Sequence, residues 1–459
     1  MKTYQDLLEA RQKGLLQDFI PAAIAEYRNT DEYKNGVIGR DYMRQQNTTI
    51  RRYAKWLYDQ TGRATPDMYS PNYKCASAYY KANNIQLTQH LLSNGVYFAK
   101  ETTKAALGGA KFDNKLVRAT RAALSEGRAY GFFNNGEVEI LRFDEFVPLF
   151  DEENGAIRAG IRHWQFAETK PKYFVLYEEG GFTEMRQAGG QPLVCVEGSS
   201  FETPRPYKTR IATLPTGAAE IVAYENYPAF PIVPIYGNYD KQAEIVGKRE
   251  HIDCYDLVES GFANNIEEAS FVYWVLNNAG GMDDIDMAEF KRRIRELRVA
   301  KTDDDTSVAA HTVDVPAAAR EALLTRLEND IYSDAMTVNL DRIAGGEVRA
   351  TAINAAFKRL NDRVDELEYC VGEFIAGLLA LAGIDDTPSF NRSNITNEEE
   401  VTQMVLSSAE YLDYETLLSK LPFLSDDDRK NILARKDAES VNRYINAELT
   451  PAADNEAIE

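Results

Sequence analysis

Nine apolar residues, Ile353, Phe357, Leu360, Val364, Leu367, Val371, Phe374, Leu378 and Leu381, are separated by alternating steps of four and three. An unbroken period of 3.5 specifies one long helix with one continuous apolar seam. At about 1.5 Å per residue, the seam would run roughly 42 Å. Gly345 and Gly346 end whatever precedes this helix, and Gly383 followed by Pro388 ends it. The opposite face is read as carrying Lys358, Arg359, Asp362, Arg363, Asp365, Glu366 and Glu368. A helix of this length sets the shape of a protein more often than it lines a small active site.

With 459 residues the chain exceeds one compact core and should divide into two to four domains. It carries 72 acids against 52 bases, a net charge of −20. Half of that excess lies in residues 384–459, with 17 acids against 7 bases. Such a chain should not wrap nucleic acid, which needs clustered Lys and Arg, but it could let nucleic acid pass without sticking. Cys75, Cys195, Cys254 and Cys370 are far apart and form no CxxC pair. That argues against metal or disulfide scaffolding and for a reducing cytoplasm. The opening residues lack the apolar core of a signal peptide, and no window approaches 18 apolar residues. The expectation is a soluble protein made in the cytoplasm, with no membrane contact.

Residues 1–60 read as helical, with one segment over 42–58, and 83–100 as a further amphipathic helix. Another helix over 115–126 is closed by Gly127. The character then changes. Short runs at 129–133, 138–143, 146–150, 156–166 and 173–177 are rich in β-branched and aromatic residues. Turn clusters such as Asn134, Asn135 and Gly136 punctuate them. This is an antiparallel β region with hairpins, continuing loosely to Ile235. Residues 251–271 are helical again. Residues 272–315 form a small insertion, with strand-like runs at its start, at 298–301 and at 308–315, and a basic helix at 288–297. Pro316 opens another helix, and a polar span at 333–346 precedes the long one. Short helices at 398–411, 414–421 and 426–443 follow, and 447–459 read as disordered. Two helices bracketing a small module make a stalk with a tip.

Motifs of chemistry are scarce. The histidines, His90, His163, His251 and His311, have no His partner at ligand spacing, and no phosphate loop, nucleophile elbow or dinucleotide fingerprint occurs. No catalytic residue, metal site or cofactor is assigned. One basic concentration stands out: Lys291, Arg292, Arg293, Arg295 and Arg298. It is either a charged outer helix face paired locally with Glu289 and Glu296, or a contact site for an acidic partner or DNA phosphate.

In its order of parts, the chain resembles the portal proteins of tailed bacteriophages, over roughly residues 30 to 445. The resemblance rests on Tyr33, Asn35 and Gly36 followed by Asn47, Arg51 and Arg52, then the helix opening at Asn84. It continues through Gly127 to Tyr130, Pro148, Asp151, and Gly155 to Arg158. Pro231, Pro234 and Asn238 follow, then Asp253, Asp256, Ser260, Asn264 and Asn265, and finally Gly345 and Gly346 leading into the long helix. Arg349, Ala350 and Thr351 stand where the family often has Ser-Gly, and a single Asn238 where it has a pair.

The resemblance implies an α+β, elongated, portal-like subunit. Its wing would span 1–247, a stem helix 248–271, a small α/β clip 272–315 and a second stem helix 316–332. A tunnel loop at 333–347, the long wing helix at 348–384 and an acidic helical crown at 385–459 would complete it. It implies a non-enzymatic homo-oligomeric ring of about twelve subunits at one capsid vertex, through which double-stranded DNA is packaged and ejected. Partners would be the packaging motor (terminase), a head–tail adaptor, and the capsid and scaffolding proteins. The location would be the virion, after assembly in the host cytoplasm. Thr337, Asn339, Asp341 and Arg342 would face the DNA channel, with Met336, Val338 and Leu340 packed on the adjacent loop. Lys291, Arg292, Arg293, Arg295 and Arg298 would meet a clip partner or DNA. The long seam would be buried across subunits, since a heptad seam needs a partner. The rival expectation is a cytoplasmic hydrolase using carboxylates of the β region.

Overall fold

The computed structural model describes residues 1–58, 61–213, 219–269, 273–277, 285, 286, 288, 292, 307–311, 316–340, 342, 350–392, 407, 418, 432, 433, 435 and 436. It separates into two units, Met1–Val348 with Ala352–Arg392, and Arg349–Thr351 with Ser393–Glu459. Of the helices expected between 398 and 443, only the last six of those positions are described, all helical. The strand-like run at 298–301 and the tail at 447–459 lie outside the described residues. The first unit is α+β.

Helices Tyr4–Gln12, Leu16–Asn29 and Asp31–Met43 open the chain. Thr3 caps the first by accepting the Asp6 amide while its own amide donates to the Asp6 carboxylate. The expected helix over 42–58 is a short one, Thr48–Arg52, followed by strand β1 (Trp56–Tyr58) paired with β2 (Ala64–Pro66). Gln45, at φ 55, breaks the preceding helix. The helix expected over 83–100 runs instead over Tyr79–Leu92. Gly95, at φ 74, turns the chain into β3 (Val96–Phe98).

After helix Lys111–Glu126 come β4 (Arg128–Asn134), β5 (Glu137–Arg142), β6 (Phe146–Phe150), β7 (Ile157–Trp164), β8 (Lys172–Glu178), β9 (Gly181–Gln187) and β10 (Val194–Cys195). Strands β11 (Lys208–Thr213), β12 (Ala219–Glu225) and β13 (Ile232–Tyr236) follow. Every strand pairing among the described residues is antiparallel. One sheet has the order β10-β9-β8-β7-β6, a second β13-β4-β5, and β11-β12 is a separate hairpin. Asn135 and Gly136, both at positive φ, make the two-residue turn between β4 and β5 that the sequence signals. The five-stranded sheet buries Val147, Leu149, Ile161, Phe174, Leu176 and Met185 against Phe19, Ile20, Ala23 and Tyr27 of the second helix.

Helix Arg249–Ala269 leads to β14 (Tyr273–Asn277), which pairs with β15 (Ser307–His311) before helix Ala317–Asp334. The two helices run antiparallel. His251, near the start of the first, meets Asp334 at the end of the second (Nδ1 to Oδ2, 2.6 Å). Arg320, near the start of the second, donates to the Gly261 carbonyl in the first.

The long helix is Ala350–Ala382. Its end matches the sequence reading: Gly383, at φ 68, donates to Ala380, and Ile384 donates to Leu379. Its seam does not. Phe357, Leu360, Val364, Leu367, Val371, Phe374, Leu378 and Leu381 are all buried within the chain's own core. They pack with Leu116, Ala119 and Leu124 of helix Lys111–Glu126 and with Ala129, Phe133, Val138 and Ile235 of the three-stranded sheet. The seam therefore finds its partner inside the subunit. A sheet face offers the same apolar cover as a second helix, and the 3.5 period cannot distinguish them.

Candidate channel segment and its anchors

Helix Arg249–Ala269 carries Asp256, Ser260 and Asn264 on one face, each buried and four residues from the next. Each accepts a backbone N–H from alternate residues of one extended segment. Ser77 donates to Asp256 Oδ1 (2.9 Å), Cys75 to Ser260 Oγ (2.9 Å) and Tyr73 to Asn264 Oδ1 (2.6 Å). Four helical residues rise about 6.0 Å and two extended residues about 6.6 Å, so the two periods stay in step over three bonds. Asn47 closes the ladder by donating to Asp256 Oδ2 and to the Ser77 carbonyl. Burial pushes the Asp256 carboxyl upward, opposed by its bonds to Asn47 and Ser77. One turn earlier, Asp253 accepts from Tyr42, from Thr49 Oγ1 (2.6 Å) and from Arg249 Nε (3.1 Å). Asn47, quoted in one motif fragment of the sequence, thus bonds Asp256 of another, and Asp253, Asp256, Ser260 and Asn264 of that second fragment all accept bonds from residues 42–77.

A second node joins this region to the long helix. Arg363, assigned by the sequence reading to a solvated face, is only 7% exposed. It donates to Glu244 Oε1 (2.6 Å), the Gly237 carbonyl (2.8 Å) and Glu366 Oε2 (3.2 Å). Position 363 directly precedes seam residue Val364, so its stem is drawn inward where a carboxylate can receive the head. Glu244 also holds Lys248 and the amide of Asn238. Burial alone would raise the Glu244 carboxyl; the Lys248 and Arg363 charges and these bonds outweigh it and hold it at about 2.

The segment leading from helix Ala317–Asp334 toward the long helix is tied down at its start. Met336 takes a left-handed φ of 52, and Thr337 donates back to the Tyr332 carbonyl. Thr337 Oγ1, buried, donates to Asn83 Oδ1 (2.9 Å). The Gln86 side chain both donates to the Val338 carbonyl and accepts from its amide, each at 3.0 Å. Val338, expected to pack against an adjacent loop, is buried in the subunit's own core. The backbone clamp from Gln86 fixes it there, while Met336 and Leu340 stay exposed. Asn339 donates to Glu328 (3.0 Å), and Arg342 bonds Asn329. Asp341 and residues 343–349 lie outside the described residues.

Of the basic group, Arg292 is helical and exposed, while Lys291, Arg293, Arg295 and Arg298 lie outside the described residues. Among the described residues no cluster of His, Cys, Asp or Glu is arranged to hold a metal ion. No described helix is long and apolar enough to cross a membrane. The signal that sequence reading missed was in glycines and amides. Gln86 and Asn83 sit three apart on one helix face, a spacing that can clamp a passing backbone.

Residues 104–442 match the model of the family described as phage portal protein, SPP1 Gp6-like, and the chain belongs to that family. It is 22% identical over 435 residues to the portal protein of Bacillus phage SPP1, covering 86% of this chain and 81% of that protein. It is 23% identical over 219 residues to the portal protein of Clostridium phage phiCD119, covering 45% of this chain and 48%, about half, of that protein. Among solved structures, it is similar to a chain in the neck of a native gene transfer agent particle computed with C12 symmetry. That likeness has a TM-score of 0.42 at 8% identity, over 76% of this chain and 91% of that one. A chain in the neck of the empty particle, computed with C6 symmetry, gives 0.41 at 9% identity over 75% and 90%. The portal family is structural and non-enzymatic, which sets aside the hydrolase expectation.

Proposed function

We propose that this chain forms a closed ring of about twelve copies at one vertex of a phage capsid, and that double-stranded DNA passes through its centre during packaging and ejection. The observation that carries this is the family match over residues 104–442, together with the 435-residue alignment to the SPP1 portal protein. In this reading residues 1–247 and 348–384 are wing, 248–271 and 316–332 stem, 272–315 clip and 385–459 crown. The antiparallel helices Arg249–Ala269 and Ala317–Asp334, with the β14–β15 hairpin between them, suit a stem ending in a clip. The net charge of −20 per subunit suits a wall past which phosphate slides without adhering.

The channel loop in this reading begins after the Gln86 clamp. Thr337 acts as an anchor, and Asn339, Asp341 and Arg342 stand at the loop's base, pairing a repulsive and an attractive charge near phosphate. Lys291, Arg292, Arg293, Arg295 and Arg298 meet the terminase motor, the head–tail adaptor or emerging DNA. The wing and crown meet capsid and scaffolding proteins. The test is particle assembly with and without this protein. Particles made without it should contain no packaged DNA, and supplying it should restore full-length DNA. Normal DNA content in its absence would overturn the proposal.

A further inference from the structure

The inward face of the five-stranded sheet does not stay apolar along its length. Side chains alternate between faces along a strand, so Ile161 is followed on the same face by His163, and Gln165, just past the end of β7, lines the same cleft. Phe174 is likewise preceded by Lys172, and Met185 is followed by Gln187. His163 lies opposite Phe174, and Lys172 opposite Gln187. Helix Leu16–Asn29 covers this end with Ile24 and Arg28, leaving a cleft of about 250 Å³. Polar residues at positions that the pattern assigns to the core call for a functional reason.

The charge of the cleft is one-sided. Its lining includes Arg28 and Lys172 but no aspartate or glutamate, in a chain with a net charge of −20. Neither cation forms an ion pair among the described residues. Burial, then the nearby Arg28, pushes His163 down to about 4, so its ring is neutral at physiological pH. The acid that opposes this shift, Asp144, is already paired with Arg40 and Arg142. Phe166, the next residue in the chain after the lining residue Gln165, is 84% exposed.

We propose that this cleft docks an acidic peptide segment of a partner protein, with Arg28 and Lys172 receiving carboxylates, the Oε1 atoms of Gln165 and Gln187 accepting peptide N–H groups, since their Nε2 atoms already donate to the Glu168, Lys170 and Gln191 carbonyls, and Phe166 packing on an apolar side chain. A nucleotide fits less well. The Trp164 ring is stacked on Tyr173 (centroids 5.6 Å apart) and approached by the Arg162 guanidinium at 5.2 Å, so it is not free to stack a base. The cleft also falls below the roughly 300–1,000 Å³ of small-molecule sites. The two side-chain amide oxygens suit the N–H donors of a peptide, which inorganic anions lack. The inference stands apart from the ring function, since it rests on this cleft alone.

The test uses the full chain and a fluorescein-labelled decapeptide of alternating Asp and Glu with one central Phe, read by anisotropy at about 50 mM salt, where charge attraction is weakly screened. Saturable binding is expected, weakened at least tenfold by Arg28→Glu with Lys172→Glu and absent for the Asn/Gln version of the peptide. The double variant should stay folded, with only a small loss in melting temperature, because both side chains are exposed and Arg28 is replaced by an acid in the last turn of its helix. Absent binding, or equal binding by the double variant, overturns the proposal. So does displacement by equimolar inorganic phosphate, which would make it a small-anion site. Equal competition by a peptide of this chain's residues 398–413 would make it a self-contact and overturn the partner reading.

Discussion

Gly377 on the long helix faces Val233 on β13 so closely that a Cβ at position 377 would lie 2.7 Å from Val233 Cγ1. The strand partner of Val233 is Gly131, and a Cβ there would lie 2.6 Å from the Phe374 ring. The four residues therefore interlock: each glycine makes room for the large side chain across the layer. This sets both the height and the rotation of the long helix on the three-stranded sheet.

Gly377→Ala should destabilise the subunit by about 1–3 kcal/mol through overpacking, less the roughly 1 kcal/mol that alanine gains in a helix. Adding Val233→Ala should restore part of the loss. Urea unfolding of the two single variants and the double variant checks this, and strictly additive losses would contradict direct contact.

Arg363 and Glu244 form a buried pair, each with a second partner: Lys248 on Glu244 and Glu366 on Arg363. Arg363→Ala should cost more than the roughly 0–1 kcal/mol of a solvated surface pair but less than the roughly 3–5 kcal/mol of a buried charge left unpaired, because Lys248 still holds Glu244. Glu244 adds a pH dependence. Its folded pKa, about 2, lies below the ordinary 4.5, so its contribution is complete above pH 4.5 and fades as pH falls toward 2. In Glu244→Gln, stability between those limits should fall less steeply than in the parent, measured by urea unfolding at each pH.

Glu126 has the opposite sign. Burial lifts its carboxyl to about 7, against an ordinary 4.5, despite the pull of Arg142. The folded state thus holds a proton that the unfolded state has lost, and stability falls as pH rises from 4.5 to 7. Glu126→Gln should leave stability below pH 4.5 nearly unchanged and raise it by about 1–3 kcal/mol at pH 8. A variant that is less stable than the parent at pH 8 would contradict this.

The sequence showed the long helix, its glycine stop, the Asn135–Gly136 hairpin and the order of parts, because each is set by local spacing or backbone freedom. It did not show where the seam would be buried. Leu360 and Val371 need an apolar partner, but nothing in their period says whether that partner is Leu124 of the same chain or a neighbour's helix. Arg363 and Val338 were misplaced for a related reason. A charged head and a loop valine are sorted by what lies across the layer, Glu244 for one and Gln86 for the other. Those partners stand 119 and 252 residues away. The ladder of Asp256, Ser260 and Asn264 was legible as a motif, but its role needed the extended segment at Tyr73–Ser77 beside it.

The mass of the purified protein in solution tests the ring directly. Twelve subunits of 51.7 kDa would form a closed assembly of about 620 kDa. Mass photometry across a tenfold dilution should show one species near that mass, or near a neighbouring whole number of subunits. A stable monomer or dimer at every concentration, with DNA and scaffolding protein present, would contradict the ring.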